Sequence, residues 1–388
     1  MTKTLYKNAQ VFTGKRENFE ELSFVVDDQT GTFTSDEQVD QTIDLAGKYV
    51  MPGMINAHTH IVADPYGRIA QLGSSEASAP TATFLAITNL QKMMTDGVTY
   101  IRDVGSVADV DIELAALERQ GDLFAPGIVA SGSPLTMTGG HFSEGAYEVD
   151  GVDEVRKYAR LLLKKGVNNI KLMATGGVSF DGETPHDIQL TEAELRAAIE
   201  EAHHKGRTAN AHAQGTQGIQ NALRAGVDSI EHAVYLDDET IDMFLQKGTY
   251  IVPTLAAPWA INQNPETLPD FMVNKSEELA QAHVESIGKA AQAGIPLVMG
   301  TDSGTSFNNF DKNSSIEMEL MVNAGVTNLQ VLQAATINAA DLLQIDTQVG
   351  TIEANKLADF IILDDNPLEN IKALQDEKTV YKKGKKVQ

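Results

Sequence analysis

The sequence predicts an α/β fold: a (β/α)₈ barrel carrying a small β-sandwich domain built from both chain ends. Three observations point there. From Met51 onward, short apolar segments alternate with helical patterns, as in parallel α/β proteins. Both ends of the chain instead read as short strands and turns. The length of 388 residues suits one barrel, which takes ~250 residues, plus an accessory domain.

Taken in order, the first fifty residues give strand candidates at Thr4–Val11, Ser23–Val26, Gly31–Ser35 and Gln41–Leu45. The eight barrel candidates follow: Ile55–His60, Val98–Asp103, Gly127–Gly132, Asn169–Met173, Thr208–Ala213, Ser229–Ala233, Tyr250–Leu255 and Pro296–Asp302. Helical patterns fill the gaps between them. Thr191 caps one, with Glu194 completing a capping box and Gly206 stopping it. Ser276–Ala293 ends at Gly294, and a third helix is predicted over Thr327–Gln344. Strands return at Gly350–Ile352, Asp359–Leu363 and Thr379–Lys382. The expected division is a discontinuous β domain, residues 1–52 and 350–388, around a barrel at residues 53–349.

Composition removes several classes of function. Hydrophobic residues make up 42% and charged residues 22%, enough for a packed core and unlike a disordered chain. No cysteine is present, so disulfides and zinc–thiolate sites are excluded; a metal must be held by His, carboxylate or modified Lys. The net charge of −24 opposes nucleic acid and anionic membranes. The basic cluster Lys382, Lys383, Lys385 and Lys386 reads as a solvated tail. MTKTLYKNAQVF has no apolar leader core, and no stretch approaches the ~20 apolar residues of a membrane span, so a soluble cytoplasmic protein is expected. The expected partner is a small-molecule substrate, with assembly into a homo-oligomer left open.

The informative residues are polar ones at strand ends. His58 and His60, two apart, point to one face of the first strand. Lys171 lies near the end of the fourth, and His212, His232 and Asp302 end the fifth, sixth and eighth. C-terminal strand ends converge on the mouth of a barrel, so six potential ligands from five strands meet in one place. Singly, each has a plain structural explanation: a hydrogen-bonded core histidine, a turn aspartate, an ion-paired lysine. Together they describe a metal centre, because imidazole and carboxylate suit zinc or manganese. A cationic lysine cannot ligate, but its carbamate is a carboxylate able to bridge two ions ~3.5–4 Å apart. His203, His204 and His283 fall on helices, where surface roles are expected.

The ordered segments PGMINAHTH, NIKLMATGG, TANAHA, SIEHA and MGTDS resemble the amidohydrolase superfamily in its binuclear form with a carboxylated lysine. AATINAADLL and ADFIILDDNPLENI resemble that superfamily's last helix and closing β segment, so the resemblance spans essentially the whole chain. It implies two divalent ions, zinc by preference. His58, His60 and Asp302 would hold one and His212 and His232 the other, with carboxylated Lys171 and a hydroxide between them. Asp302 would act as general base and then general acid. SGSPLTMTGGH, ATGGV and EHAVYLDDE further resemble bacterial prolidase-like and arginine-carboxypeptidase-like members, which hydrolyse dipeptides or N-acyl amino acids. That finer likeness makes His141 and Tyr235 candidates for binding the substrate. Relatives commonly carry a His-Gly pair after the last aspartate, whereas this chain continues Ser303-Gly-Thr-Ser-Phe, which puts specificity in doubt. His186 has no assigned role beyond a solvent-exposed loop position.

The alternatives are a cyclic-amide hydrolase resembling imidazolonepropionase, or a deaminase on the same barrel. Deaminases of the superfamily normally place a Glu shortly after the fifth-strand histidine, but here His212 is followed by Ala213, Gln214 and Gly215. A non-catalytic scaffold would usually have lost a ligand, and none is missing.

Overall fold

The computed structural model describes residues 2–36, 38–67 and 78–387. Parallel strands form two sheets. One orders Met54–Thr59, Val98–Asp103 and Gly127–Val129; the other orders Tyr147–Glu148, Leu135–Thr136, Asn169–Met173, Thr208–Ala213, Ser229–His232 and Tyr250–Val252. Every residue of Met54–Thr59, Val98–Asp103, Asn169–Met173 and Thr208–Ala213 is buried, as parallel strands covered on both faces require. The helices between them bury Leu90, Leu114, Leu162, Leu195, Ile219 and Phe244 against the sheets in one continuous core.

Individual hydrogen bonds link the two sheets. On one side Asn168 N–H donates to Ala130 O at 2.8 Å. On the other, the segment predicted as the eighth strand lies between Tyr250–Val252 and Met54–Thr59. Val298 N–H donates to Ile251 O, Ala57 N–H to Met299 O and Asp302 N–H to His58 O, each at 2.9 Å. Pro296–Asp302 is thus not a full strand but an extended segment held by the parallel bridges Ile251↔Leu297 and Thr59↔Ser303. Asn56 interrupts the ladder, its Oδ1 accepting from both His58 N–H (3.1 Å) and Thr301 N–H (3.2 Å). Gly300 allows the close crossing, since a Cβ there would stand 2.4 Å from Val252 Cγ1.

The capping box at Thr191 and Glu194 is present and opens the helix Glu192–His204. The second predicted helix starts earlier, at Asp270 after Pro269, and ends at left-handed Gly294 as expected. The third is two helices, Asn328–Ala334 and Ile337–Leu342. It breaks because its carbonyls are used elsewhere: Ala334 O accepts Met299 N–H (3.0 Å) and Ala335 O accepts Ile55 N–H (2.8 Å). The break therefore ties the helix pair to the strands that carry the site.

Both chain ends contribute to one mixed sheet of eight strands. Lys3–Val11 runs antiparallel to Glu20–Asp27 and parallel to Gln41–Asp44 and Tyr49–Pro52, and Tyr49–Pro52 runs antiparallel to Phe360–Leu363. Tyr6, Phe33, Val50, Phe360 and Ile362 pack into a core of its own. Gly350–Ile352 is not a strand; it is held through Ile352 N–H to Thr13 O at 3.1 Å. Lys385–Lys386 adds a short edge strand that the sequence pattern did not reveal.

The solvated-tail reading of the C-terminal lysines fails for two of the four. Lys382 is fully buried, with Nζ 2.7 Å from Asp359 Oδ2 and 4.8 Å from the centre of the Tyr100 ring. Lys383 pairs with Glu118 at 2.6 Å, whereas Lys385 and Lys386 are exposed. Removing one partner of a buried pair strands the other charge in a low dielectric. Lys382→Met should therefore destabilise the fold by about 3–5 kcal/mol, read from urea midpoints. The double variant Lys382→Met/Asp359→Asn should recover part of the loss.

Candidate active site

Three ligand-type side chains converge at the ends of Met54–Thr59 and the 297–303 segment. His58 Nε2 lies 3.2 Å and His60 Nε2 3.1 Å from Asp302 Oδ1, and the three donor atoms fall within 4.8 Å of one another. Hydrogen bonds on the far side of each ring assign the protons. His58 Nδ1 lies 2.6 Å from Glu231 Oε2, and a carboxylate only accepts, so Nδ1 carries the proton and the Nε2 lone pair faces Asp302. His60 Nδ1 faces Gly105 O at 3.4 Å, with the same consequence. Three electron-rich atoms held together away from water call for a cation among them, and this donor set fits a divalent metal.

The neighbouring histidines continue the arrangement. Ring centroids lie 5.3 Å apart for His58 and His232, 4.6 Å for His232 and His212, and 4.2 Å for His212 and His141. Strand register explains the proximity, since Ala213 pairs with His232 and Met173 with His212. Thr254 Oγ1 donates to Pro253 O at 2.6 Å and so accepts from His232 Nδ1, also at 2.6 Å. That leaves His232 Nε2 unprotonated. His212 Nε2 donates to Gly176 O at 3.0 Å, leaving its Nδ1 lone pair free. Burial, the main cause, pushes both imidazoles well below their ordinary range, so each is neutral at pH 7.

Lys171 is fully buried and lines the same cavity. Burial lowers its ammonium to about 8 despite the opposing pull of Glu231 and Asp302. The neutral amine, the form that can take up CO₂, is therefore a minor fraction near neutrality but far larger than for an ordinary lysine. Asp302 has φ +61°, His232 +75° and Thr254 +57°. Left-handed backbone at a β-branched or bulky residue costs of order 1–3 kcal/mol, a strain that collects where side chains must be aimed.

Behind the site lies a buried ion pair. Arg102 Nη2 donates to Glu231 Oε1 at 2.8 Å, Nε to Ala57 O at 2.7 Å and Nη1 to Ser229 Oγ at 3.1 Å. Burial works to raise the Glu231 carboxyl; Arg102 and His58 together keep it well below its usual range. Glu231 sits inside SIEHA, one residue before the histidine that the strand-end pattern singles out. The signal was there: a carboxylate in one apolar strand and an arginine in another, IRD, each need a partner.

His141 enters the cavity, with Nδ1 2.6 Å from Glu183 Oε1 and its backbone N–H bonded to Gln189 Oε1 at 2.8 Å. Tyr235 is half-buried; its ring meets His186 at 4.7 Å, and it stands outside the residues lining the cavity. His186 is exposed, as expected. His283 is a correction: it is buried, lines the cavity and donates from Nε2 to Pro253 O at 2.8 Å. His203 is exposed, as expected, and pairs with Asp228 at 2.9 Å. The cavity above the ligand-type residues measures about 330 Å³.

Glu231 fixes the ring that presents Nε2 of His58, and such partners typically tune metal affinity tenfold to a hundredfold. Glu231→Gln should weaken metal binding by about that factor in a chelator competition, with metal content per chain as the readout.

Comparison with known proteins agrees with this geometry. Residues 49–387 match the amidohydrolase family model. Ochratoxinase from Aspergillus niger is 31% identical over 362 residues, covering 85% of this chain and 73% of that protein. A 5-methylthioadenosine/S-adenosylhomocysteine deaminase from Bacillus cereus is 24% identical over 415 residues, covering 93% and 85%. Among solved structures, a Xaa-Pro dipeptidase with methionine bound in its active site superposes with a TM-score of 0.90, 29% identity and 99% coverage of both chains. The chain belongs to the amidohydrolase family and is a metal-dependent hydrolase of carbon–nitrogen bonds in small-molecule substrates.

Proposed function

We propose that this protein is a binuclear amidohydrolase that cleaves the amide of a dipeptide or N-acyl amino acid. The observation that carries the reading is the convergence of His58, His60 and Asp302 beside neutral His212, His232 and buried Lys171 at one cavity floor. Similarity to a Xaa-Pro dipeptidase supports a peptide amide as the substrate bond. The frame of the proposal is a (β/α)₈ barrel over residues 53–349. The chain ends, residues 1–52 and 350–388, form a separate β-sandwich domain. Support for closure comes from the single bonds linking the two parallel sheets and the 297–303 segment.

In this reading His58, His60 and Asp302 would hold one divalent ion and His212 and His232 a second, zinc being suited to both donor sets. A carbamate on Lys171 would supply a further carboxylate ligand. Bound ions would provide an activated water near neutral pH and polarise the scissile carbonyl. Asp302 receives the proton released by the attacking water on its carboxylate and passes it to the leaving nitrogen. His141, oriented by Glu183, faces the cavity and is proposed to contact the substrate carbonyl or carboxylate, donating from Nε2 in its doubly protonated form. Tyr235, from the half-buried rim, is proposed to contact the distal part of the substrate. Deamination is disfavoured because the position after His212 carries Ala213, Gln214 and Gly215 in place of an acid.

Asp302→Asn should lower kcat by at least a thousandfold while metal analysis still finds bound metal; unchanged kinetics would remove Asp302 from the proton transfer. Lys171→Ala should lose activity and bound metal together. Partial restoration by short carboxylates such as formate or acetate would support the carbamate, and its complete failure would count against it.

A further inference from the structure

The cavity has a second character away from its metal-binding floor. Its lining includes an apolar set, Val178, Pro258, Ile261, Met272 and Leu279. These come from three elements: the loop after Asn169–Met173, the helix Ala256–Asn262 and the long helix Asp270–Ala293. Ile261, Met272 and Val273 form a small hydrophobic cluster separate from the main core, with Val178, Leu268 and Phe271 packed against it. The wall is held in place: Lys275 Nζ donates to Phe180 O at 2.7 Å and to Glu183 O at 2.6 Å, pinning the loop onto the long helix. Glu183 is the partner of His141, so the same tether joins the apolar wall to the catalytic floor. Among the described lining residues the charged side chains are Asp64, Lys171 and Asp302. Two of these belong to the floor, and Asp64 sits on the loop after the first strand.

We infer that this wall is a specificity subsite for a bulky, uncharged, apolar side chain of the leucine, methionine or phenylalanine class on one of the residues flanking the scissile amide. The inference rests on the amide-hydrolase reading but concerns which substrate the site selects. A charged side chain would lose its hydration against Val178, Ile261, Met272 and Leu279, and none of the described residues of that wall carries a charge to replace it. An apolar one would leave water for a preformed surface, worth about tenfold to a hundredfold in affinity.

The test uses metal-loaded protein and free amino acids, which the enzyme cannot cleave. Calorimetry should find L-leucine, L-methionine and L-phenylalanine bound at least tenfold more tightly than L-aspartate or L-lysine. Val178 lies on a part-exposed loop, so Val178→Lys should fold; it should lose the apolar preference and gain affinity for L-aspartate. Equal binding of charged and apolar amino acids, no binding of any, or an unchanged ranking in Val178→Lys would overturn the inference. Gly-Xaa and Xaa-Gly dipeptides assayed in parallel separate the two levels. Hydrolysis without side-chain preference overturns the subsite alone. Apolar preference in binding without hydrolysis of any dipeptide overturns the peptidase reading and leaves the subsite standing.

Discussion

The contact on which the site depends is a fully buried one, Arg102 against Glu231. Taking both charges out of water costs several kcal/mol per ion, so the pair is poor evidence of stability by itself. What it supplies is direction. Arg102 is anchored to Ala57 O and Ser229 Oγ, the backbone and side chain of two different strands, and it presents Glu231 to the ring of His58. The carboxylate cannot rotate away without stranding a guanidinium. His58 therefore keeps one tautomer and one orientation, whichever way the cavity is filled.

The same logic extends outward. Ligand-type residues here sit at strand ends whose backbone is bent into the left-handed region at His232, Thr254 and Asp302. Each bend is held by bonds that lie behind the site. Thr254 Oγ1 links His232 to Pro253 O, and the carboxylate of Glu317 accepts from Leu255 N–H (3.0 Å) and Ala256 N–H (2.6 Å) to secure the turn. The split between Asn328–Ala334 and Ile337–Leu342 serves the same end, lending two helix carbonyls to Met299 and Ile55. Local strain and local helix loss are offset by fixed geometry at the metal-binding floor.

Much of this was legible in the sequence, for a physical reason. Parallel strands buried on both faces must be apolar, so a histidine, lysine or aspartate at the end of one stands out, and six did. Strand starts were read within one residue at Met54 and without error at Val98, Asn169 and Thr208, because those segments are bounded by turn residues. The eighth strand and the third helix were misread because side chains and backbone groups hundreds of residues away compete for their hydrogen bonds. Asn56 replaces part of a ladder, and Ile55 takes a helical carbonyl. Periodicity carries no trace of such long-range exchanges. Lys382 was misread for a related reason: its partner Asp359 and its aromatic cover Tyr100 lie on different strands, so the basic run looked like a tail. His283 looked like a surface histidine on a helix because nothing local announces that Pro253 O covers it.

The pairing of Tyr49–Pro52 with Phe360–Leu363 has a consequence for synthesis. An edge of Tyr49–Pro52 stays unsatisfied until Phe360–Leu363 has emerged from the ribosome, tens of seconds later at ordinary rates of translation. During that interval Val50 and Met51, buried in the finished protein, have no partner strand on that side. The nascent chain thus carries an open apolar edge throughout that interval, the situation in which chaperone occupancy or mispairing with another chain competes with correct closure.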